Sequence, residues 1–140
     1  MLWWRRGGRS DIVGGGSTLR RARILVVDDD PIVAMSLRRL LASEHDVRAV
    51  HSGSDALNAL IDDDTFDLIL CDISMEGMDG IDLYRQLAEK RPNLIDRIVF
   101  LTGGAFTLSS QRFLETIPNP RLEKPIAMSL LREFVRARVG

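Results

Sequence analysis

Acidic residues follow two strongly apolar stretches of this 140-residue chain. Asp28 and Asp29 come directly after the run Ile24–Val27, and Asp72 ends the run Phe66–Asp72. Continuous apolar runs of this length are typical of strands buried in a parallel sheet, whose carboxyl ends meet at one edge where ligands bind. Because clustered like charges are costly without a cation, and all-oxygen ligands suit Mg²⁺ or Mn²⁺, we expect a metal site.

Two further predicted strands, the first of them a continuous apolar run, end in other polar groups. Thr102 and two glycines follow Ile98–Leu101, and Lys124 follows the short run Arg121–Glu123. Acids, a metal, a hydroxyl and an ammonium group together suit a phosphoryl group. One carboxylate then serves as the nucleophile and forms an acyl phosphate, for which Asp72, alone on the central strand, is the candidate.

Each of these residues also has an ordinary structural interpretation. Asp is a preferred helix N-cap, and for Asp30, which precedes Pro31, we adopt that interpretation. Thr102 could cap the helix that begins near Leu108, and Lys124 could be a solvated surface charge. These interpretations are plausible for any single residue. They are less plausible for the whole set, because three acids lie at the ends of adjacent predicted strands.

The elements that position these residues alternate between strand and helix. We predict strands at 23–28, 46–50, 66–72, 98–101 and 121–123, and helices at 31–43, 54–61, 79–90, 108–116 and 128–138. Five strands alternating with five helices predict an α/β, flavodoxin-like, doubly wound parallel sheet with right-handed crossovers. The strand order expected for this fold is 2-1-3-4-5.

Composition sets outer bounds on the function. Residues 1–22 hold five Arg and one Asp among many glycines and read as a flexible basic extension or linker; residues 23–140 form one domain with a net charge of −5. The acidic body argues against direct binding of nucleic acid. A single cysteine, Cys71, excludes an internal disulfide and fits the cytoplasm. No apolar run approaches the roughly 18 residues of a membrane span.

From Arg23 to Val139 the chain resembles the receiver domain of two-component response regulators. The likeness is carried by the Asp pair after Leu-Val-Val and by four later groups of residues: Asp72; Met75, Met78, Asp79 and Gly80; Thr102-Gly103; and Lys124-Pro125. It implies either a stand-alone regulator or the receiver of a hybrid histidine kinase.

The resemblance implies a role for each matched residue. Asp72 accepts a phosphoryl group from a histidine kinase or a histidine phosphotransfer domain. Asp28, Asp29 and Asp72 hold Mg²⁺ with the backbone carbonyl of Ser74, while Thr102 and Lys124 bind phosphoryl oxygens. Phosphorylation then changes the face formed by helix 4, strand 5 and helix 5, which contacts a downstream protein or a second copy.

The chain departs from the family at several positions. Arg121 stands where relatives often carry an aromatic residue, so we expect the switch to depend on Thr102 and the Gly103-Gly104 loop instead. Glu76 stands where relatives usually carry proline. Ser74 and Gly104, at positions that tune hydrolysis in the family, lack long polar side chains, which predicts a persistent phosphoryl state.

Two other functions fit parts of the sequence. A small Mg²⁺-dependent phosphatase also uses an aspartyl intermediate, but such enzymes place a second acid two residues after the nucleophile, where this chain has Ser74. An interaction module that keeps the fold without being phosphorylated is the other alternative. We therefore expect a regulatory domain that catalyses only its own phosphotransfer and dephosphorylation.

Overall fold

Strands and helices alternate along the whole computed structural model, which describes residues 21–103 and 107–139. The strands are β1 (Arg23–Val27), β2 (Asp46–Val50), β3 (Leu68–Asp72), β4 (Ile98–Thr102) and β5 (Arg121–Glu123). The α-helices are α1 (Pro31–Leu41), α2 (Gly53–Asp62), α3 (Gly80–Lys90), α4 (Leu108–Glu115) and α5 (Met128–Val139). All neighbouring strands are parallel, in the order β2-β1-β3-β4-β5, so the predicted fold is confirmed.

Helices α1 and α3 begin where the sequence supplies capping side chains. The Asp30 carboxylate accepts a hydrogen bond from the Ile32 amide at 2.9 Å, which confirms its interpretation as the cap of α1. Asp79 and Asp82 form a reciprocal capping box at the start of α3. Both helices therefore start at fixed points just beyond the carboxyl ends of β1 and β3.

The sheet separates two apolar layers. Leu25 and Val27 of β1 face α2, α3 and α4, whereas Ile24 and Val26 face α1 and α5. Every residue of β3 and β4 is buried. Burial on both faces explains why these strands are continuous apolar runs and fixes their register, which sets the positions of the residues that follow them.

One helical element was not predicted. Residues Pro92–Arg97, between α3 and β4, form a short 3₁₀-helix that ends in a buried arginine. The Arg97 guanidinium donates to the carbonyl oxygens of Asp64 at 2.8 Å and Phe66 at 2.9 Å. Predicted helix ends differ from the observed ones by only one or two residues; α1, for example, ends at Leu41 and not at Ser43.

Two predictions fall on parts of the chain that are not described. Residues 1–20 of the predicted extension lie outside the described residues, and so does Gly104 of the predicted switch loop. Across residues 21–103 and 107–139, no helix has the length and apolar character needed to cross a membrane.

Candidate functional site

Three carboxylates converge at the carboxyl edge of the sheet. Asp28 follows β1 and Asp72 ends the adjacent β3, whose Cys71 pairs with Val27. Asp28, Asp29 and Asp72 each offer one oxygen, and these oxygens lie within 4.8 Å of one another. Asp28 and Asp72 are buried and Asp29 is exposed. Three carboxylate oxygens this close, one of them open to solvent, fit a hard divalent cation such as Mg²⁺.

Lys124 lies against two of these acids. Its Nζ is 2.6 Å from Asp28 Oδ2 and 3.5 Å from Asp72 Oδ2. Burial lowers the pKa of Lys124, but its hydrogen bond to Asp28 and the charges of Asp72 and Asp28 outweigh this and raise the pKa above its usual range. The Lys124 amide also donates to the Thr102 carbonyl at 2.7 Å. The peptide bond between Lys124 and Pro125 is cis.

The environment of Asp72 favours its protonated form. Burial, followed by the negative charge of Asp28, raises the pKa of Asp72 to about 6, against the opposing charge of Lys124. Lys124 therefore neutralises only part of the negative charge of the three carboxylates. A divalent cation is the group that would compensate the remainder.

Backbone amides hold the carboxylates in place. Asp28 Oδ1 accepts from the Asp30 amide at 3.0 Å, and Asp29 Oδ2 accepts from the Glu76 amide at 3.3 Å. Asp72 Oδ1 accepts a long bond of 3.4 Å from the Ser74 amide. The loop between β3 and α3 is thus tied to acids on two strands.

A close backbone contact fixes the end of this loop. A Cβ atom on Gly80 would lie 2.8 Å from the Asp72 carbonyl oxygen and 2.9 Å from the Ile73 Cα. The Gly80 amide also donates to the Ile73 carbonyl at 3.1 Å. Only glycine permits the first turn of α3 to approach the end of β3 this closely.

Thr102 ends β4 with a buried hydroxyl. Its residue is 1% exposed, and within the described part of the chain its Oγ1 has no hydrogen-bond partner. A buried hydroxyl without a partner is costly, and it fits a site that receives an anionic ligand. The alternative interpretation of Thr102 as the cap of α4 is wrong, because Thr107 caps that helix by accepting from the Ser110 amide.

The other predicted residues lie around this centre. Ser74 and Glu76 are exposed on the loop after β3. Gly103 follows Thr102, and a Cβ atom there would meet no atom of the described residues within 4 Å. Arg121 is exposed at the start of β5, at the opposite end of that strand from Lys124. His51 was not among the predicted residues; its Nδ1 is 3.4 Å from the Asp28 carbonyl oxygen. Its position directly after β2, the neighbour of β1, could have indicated it.

An open cleft of about 650 Å³ adjoins the site between the loop after β3, α3 and α4. Its lining combines acidic groups, one arginine, hydroxyl groups and an apolar floor: Asp29, Glu76, Asp79, Asp82, Arg85, Thr107, Ser109 and Phe113 are among the lining residues. The guanidinium of Arg85 lies 5.3 Å from the centre of the Phe113 ring, which links α3 to α4 across this cleft.

Comparison with known proteins gives both sequence and structural relatives. The chain is 34% identical over 101 residues to the sensor histidine kinase RcsC of Salmonella typhimurium, covering 69% of this chain and 10% of that protein. It is 35% identical over 97 residues to the sensor histidine kinase GacS of Pseudomonas protegens, covering 67% of this chain and 10% of that protein. The chain thus spans about a tenth of the length of these curated relatives.

Solved structures share the fold. A response regulator receiver domain protein from Clostridium thermocellum superposes with a TM-score of 0.73 at 21% identity, covering 84% of this chain and 94% of that one. The receiver domain of the Francisella response regulator 1452 gives a TM-score of 0.69 at 26% identity, with 85% and 97% covered. The family profile of the response regulator receiver domain matches residues 24–136. This chain is therefore a member of the response regulator receiver domain family of two-component signalling.

Proposed function

We propose that this receiver domain is a phosphoacceptor switch, which takes a phosphoryl group onto the Asp72 carboxylate in a reaction that needs Mg²⁺ or Mn²⁺. The donor is the phosphohistidine of a histidine kinase or of a histidine phosphotransfer domain. The observation that carries the proposal is the position of Lys124 Nζ, 2.6 Å from Asp28 and 3.5 Å from Asp72, beside the third carboxylate of Asp29.

The transfer is a displacement at phosphorus. A carboxylate oxygen of Asp72 attacks the phosphorus atom, the phosphorus–nitrogen bond to the imidazole breaks, and its electron pair stays on the imidazole nitrogen. A divalent cation held by Asp28, Asp29, Asp72 and the Ser74 carbonyl would neutralise charge on the phosphoryl oxygens. At neutral pH Asp72 is mostly ionised, because its pKa of about 6 lies below that pH.

Two residues are suited to bind the new phosphoryl group. Lys124 already contacts Asp72, so a small displacement from Asp28 lets its ammonium group pair with a phosphoryl oxygen. The Thr102 hydroxyl, buried and without a partner among the described residues, is available to donate to another oxygen. Lys124 would then exchange its contact with Asp28 for one with the phosphoryl group, and the Thr102 hydroxyl would gain a partner there. These changes give the switch its two states.

The partner-binding surface of the proposed switch includes the exposed side of β5. Gly103, Gly104, Arg121 and Pro125 form the proposed switch segments between Thr102 and α5. The face of α4, β5 and α5 exposes the apolar side chains Leu108 and Leu130 and the arginines Arg112 and Arg121. We propose that it binds a downstream protein or a second copy of the domain. Likeness to sensor histidine kinases supports a kinase as the donor. We propose that the reaction takes place in the cytoplasm, which fits the single cysteine of the chain, without direct contact to nucleic acid or a membrane span.

The test is intact mass spectrometry after incubation with phosphoramidate or acetyl phosphate, with Mg²⁺ or with EDTA. We expect one added phosphoryl group on the wild type with Mg²⁺ only, and none on Asp72→Ala. The matched control is Asp62→Ala, which removes an exposed carboxylate from the end of α2 and should keep the adduct.

Three results would contradict the proposal. An adduct that survives Asp72→Ala would place the nucleophile elsewhere. A wild type that binds Mg²⁺ but takes no phosphoryl group, from small donors or from a phosphorylated histidine phosphotransfer domain, would be an interaction module. Sustained turnover of a phosphomonoester would instead identify a phosphatase.

The lifetime of the adduct tests the predicted persistence. Ser74 and Gly104 offer no long polar side chain to orient an attacking water, so we expect slow loss of the phosphoryl group. The variant Ser74→Glu should shorten the half-life of the adduct, which the same mass measurement would follow over time. An unchanged or longer half-life would remove this part of the proposal.

A further inference from the structure

Two consecutive backbone amides at the start of β1 are held by buried ionisable side chains. The Ala22 amide donates to His45 Nδ1 at 3.1 Å, and the Arg23 amide donates to Asp67 Oδ2 at 2.9 Å. The Ala22 carbonyl in turn accepts from the Asp46 amide at 2.8 Å, where β2 begins. These contacts lie at the amino edge of the sheet, opposite the phosphoacceptor site.

The contact to Ala22 requires a neutral imidazole. An Nδ1 atom that accepts a hydrogen bond carries no proton, so the ring proton of His45 lies on Nε2. His45 is 2% exposed, and Nε2 has no hydrogen-bond partner within the described part of the chain. A second proton on this ring would put two donors, Nδ1–H and the Ala22 N–H, face to face in a buried position.

Charged groups of both signs surround the ring. Glu44 and Asp67 favour the imidazolium form, and Arg21 and Arg136 oppose it. The guanidinium of Arg136 already binds the Glu44 carboxylate in a two-pronged pair, with Nε 2.9 Å from Oε1. Burial dominates, and it lowers the pKa of His45 below its usual range.

We propose that His45 is an acid-sensitive latch: its neutral imidazole holds the Ala22 amide at the point where the chain enters β1, and its protonation releases that amide. Protonation converts Nδ1 from an acceptor into a donor, releases the Ala22 amide, and weakens the bond from the Ala22 carbonyl to the start of β2. Ala22 and the last residue of α5, Val139, belong to the same apolar layer. Release therefore loosens the packing where the chain enters β1 and where α5 ends.

The direction of the pH effect follows from linkage. A histidine whose pKa is lower in the latched state stabilises that state above the ordinary pKa of about 6.5, and this stabilisation is lost as the pH falls. One proton distinguishes the two states, so the equilibrium for opening should rise by up to about tenfold for each pH unit below 6.5. The rise stops at the pKa of the latched histidine.

The chain suits a direct test because it has only two histidines, His45 and His51. We would follow the imidazole nitrogens and the Ala22 amide by NMR from pH 7.5 to 4.5, in EDTA, with the Asp72→Asn variant to remove a carboxyl that titrates near pH 6. The expected result is a neutral His45 ring protonated on Nε2, a midpoint below 6.5, and an Ala22 amide shift with the same midpoint. His51→Gln is the control and should leave this behaviour unchanged.

A second variant measures the energetic consequence. His45→Gln keeps a side-chain oxygen that can accept from Ala22 but cannot titrate, so its urea unfolding should lack the loss of stability below pH 6.5. If this variant does not fold, the NMR titration alone decides. Any of three results would overturn the proposal. They are a His45 midpoint at or above 6.5, a neutral ring protonated on Nδ1, and an Ala22 amide shift that does not change as His45 titrates.

Discussion

Replacing Asp72 by Asn should stabilise the metal-free protein while abolishing its phosphorylation. The Asp72 side chain is only 8% exposed, and burial together with the charge of Asp28 raises its pKa from 3.8 to about 6. A shift of about two units corresponds to about 3 kcal/mol of cost for the ionised form in the folded state. Asn has nearly the same shape without the charge, so at pH 7.5 in EDTA the variant should be about 3 kcal/mol more stable.

The pH dependence of this gain tests its cause. Because the pKa of Asp72 is higher in the folded protein than in the unfolded chain, Asp72 of the folded protein is protonated at a higher pH, near 6. The wild type therefore recovers stability as the pH falls through 6. By pH 4.5 most of the cost is relieved, so the advantage of Asp72→Asn should shrink to about 1 kcal/mol. Urea unfolding at pH 7.5, 6.0 and 4.5, with Asp62→Asn as an exposed control, measures this directly.

Mg²⁺ should reverse the order of stability. A cation that binds only the folded protein stabilises it in proportion to the logarithm of its concentration over the dissociation constant. Asp72→Asn removes one of three carboxylates and should gain less from Mg²⁺ than the wild type. An advantage for the variant that does not change with pH, or no advantage in EDTA, would refute the argument that this site holds excess buried charge.

Three further predictions concern Lys124, Gly80 and Asp63. Lys124→Met should lower the metal-free free energy of unfolding by about 2–4 kcal/mol, measured by urea in EDTA, because Asp28 keeps a buried charge without its partner. Gly80→Ala should cost about 1–3 kcal/mol and slow adduct formation in the mass assay, because the added Cβ meets the Asp72 carbonyl at 2.8 Å. Asp63→Asn removes the ion pair between Asp63 and Arg23, whose atoms are 2.8 Å apart. Because the Asp63 side chain is 35% exposed and solvent screens the pair, the loss should cost only about 1 kcal/mol of stability at pH 7. A hydrogen bond from Thr65 holds the pKa of Asp63 at about 2, so this cost should disappear as urea unfolding is followed from pH 4 to 2.

Two of these predictions have a comparison variant within the chain. Lys90→Met removes an exposed lysine at the end of α3 and should leave stability within about 0.5 kcal/mol. Gly103→Ala adds a Cβ with no atom of the described residues within 4 Å, so a stability loss equal to that of Gly80→Ala would contradict the steric argument. If Lys124→Met and Lys90→Met lost equal stability, the argument from the buried Lys124–Asp28 pair would be wrong. If the stability cost of Asp63→Asn did not change with pH, the lowered pKa of Asp63 would be wrong.

The fold was predictable because its information is local. Buried parallel strands are continuous apolar runs, and residues such as Asp30 and Asp79 mark helix starts by caps that use only the next few residues. Strand alternation with helices then leaves few topologies. The 3₁₀-helix before β4 was missed because its stabilising contacts, from Arg97 to carbonyl groups more than 30 residues away, leave no periodic pattern in the sequence.

The site was predictable in composition but not in its contacts. Strand ends identify Asp28, Asp72, Thr102 and Lys124 as neighbours, since parallel strands share one carboxyl edge. The sequence does not indicate that Lys124 pairs more closely with Asp28 than with Asp72, nor that the Thr102 hydroxyl is buried without a partner among the described residues. Those facts depend on sheet twist and on side-chain conformations that form only when all the strands are assembled.

The distribution of these groups over the sheet matches what each would have to do during a switch. Asp28 and Asp72 extend from β1 and β3, which are each paired on both sides and buried, so the acids are held by the most rigid part of the fold. Lys124 follows β5, an edge strand of three residues paired only with β4. An element with few hydrogen bonds and little buried surface costs less to displace than a central strand. In the proposed switch, the Lys124 ammonium group, which exchanges a carboxylate for a phosphoryl oxygen, therefore follows a strand that costs less to displace, while Asp28 and Asp72 are held by central strands that cost more to displace.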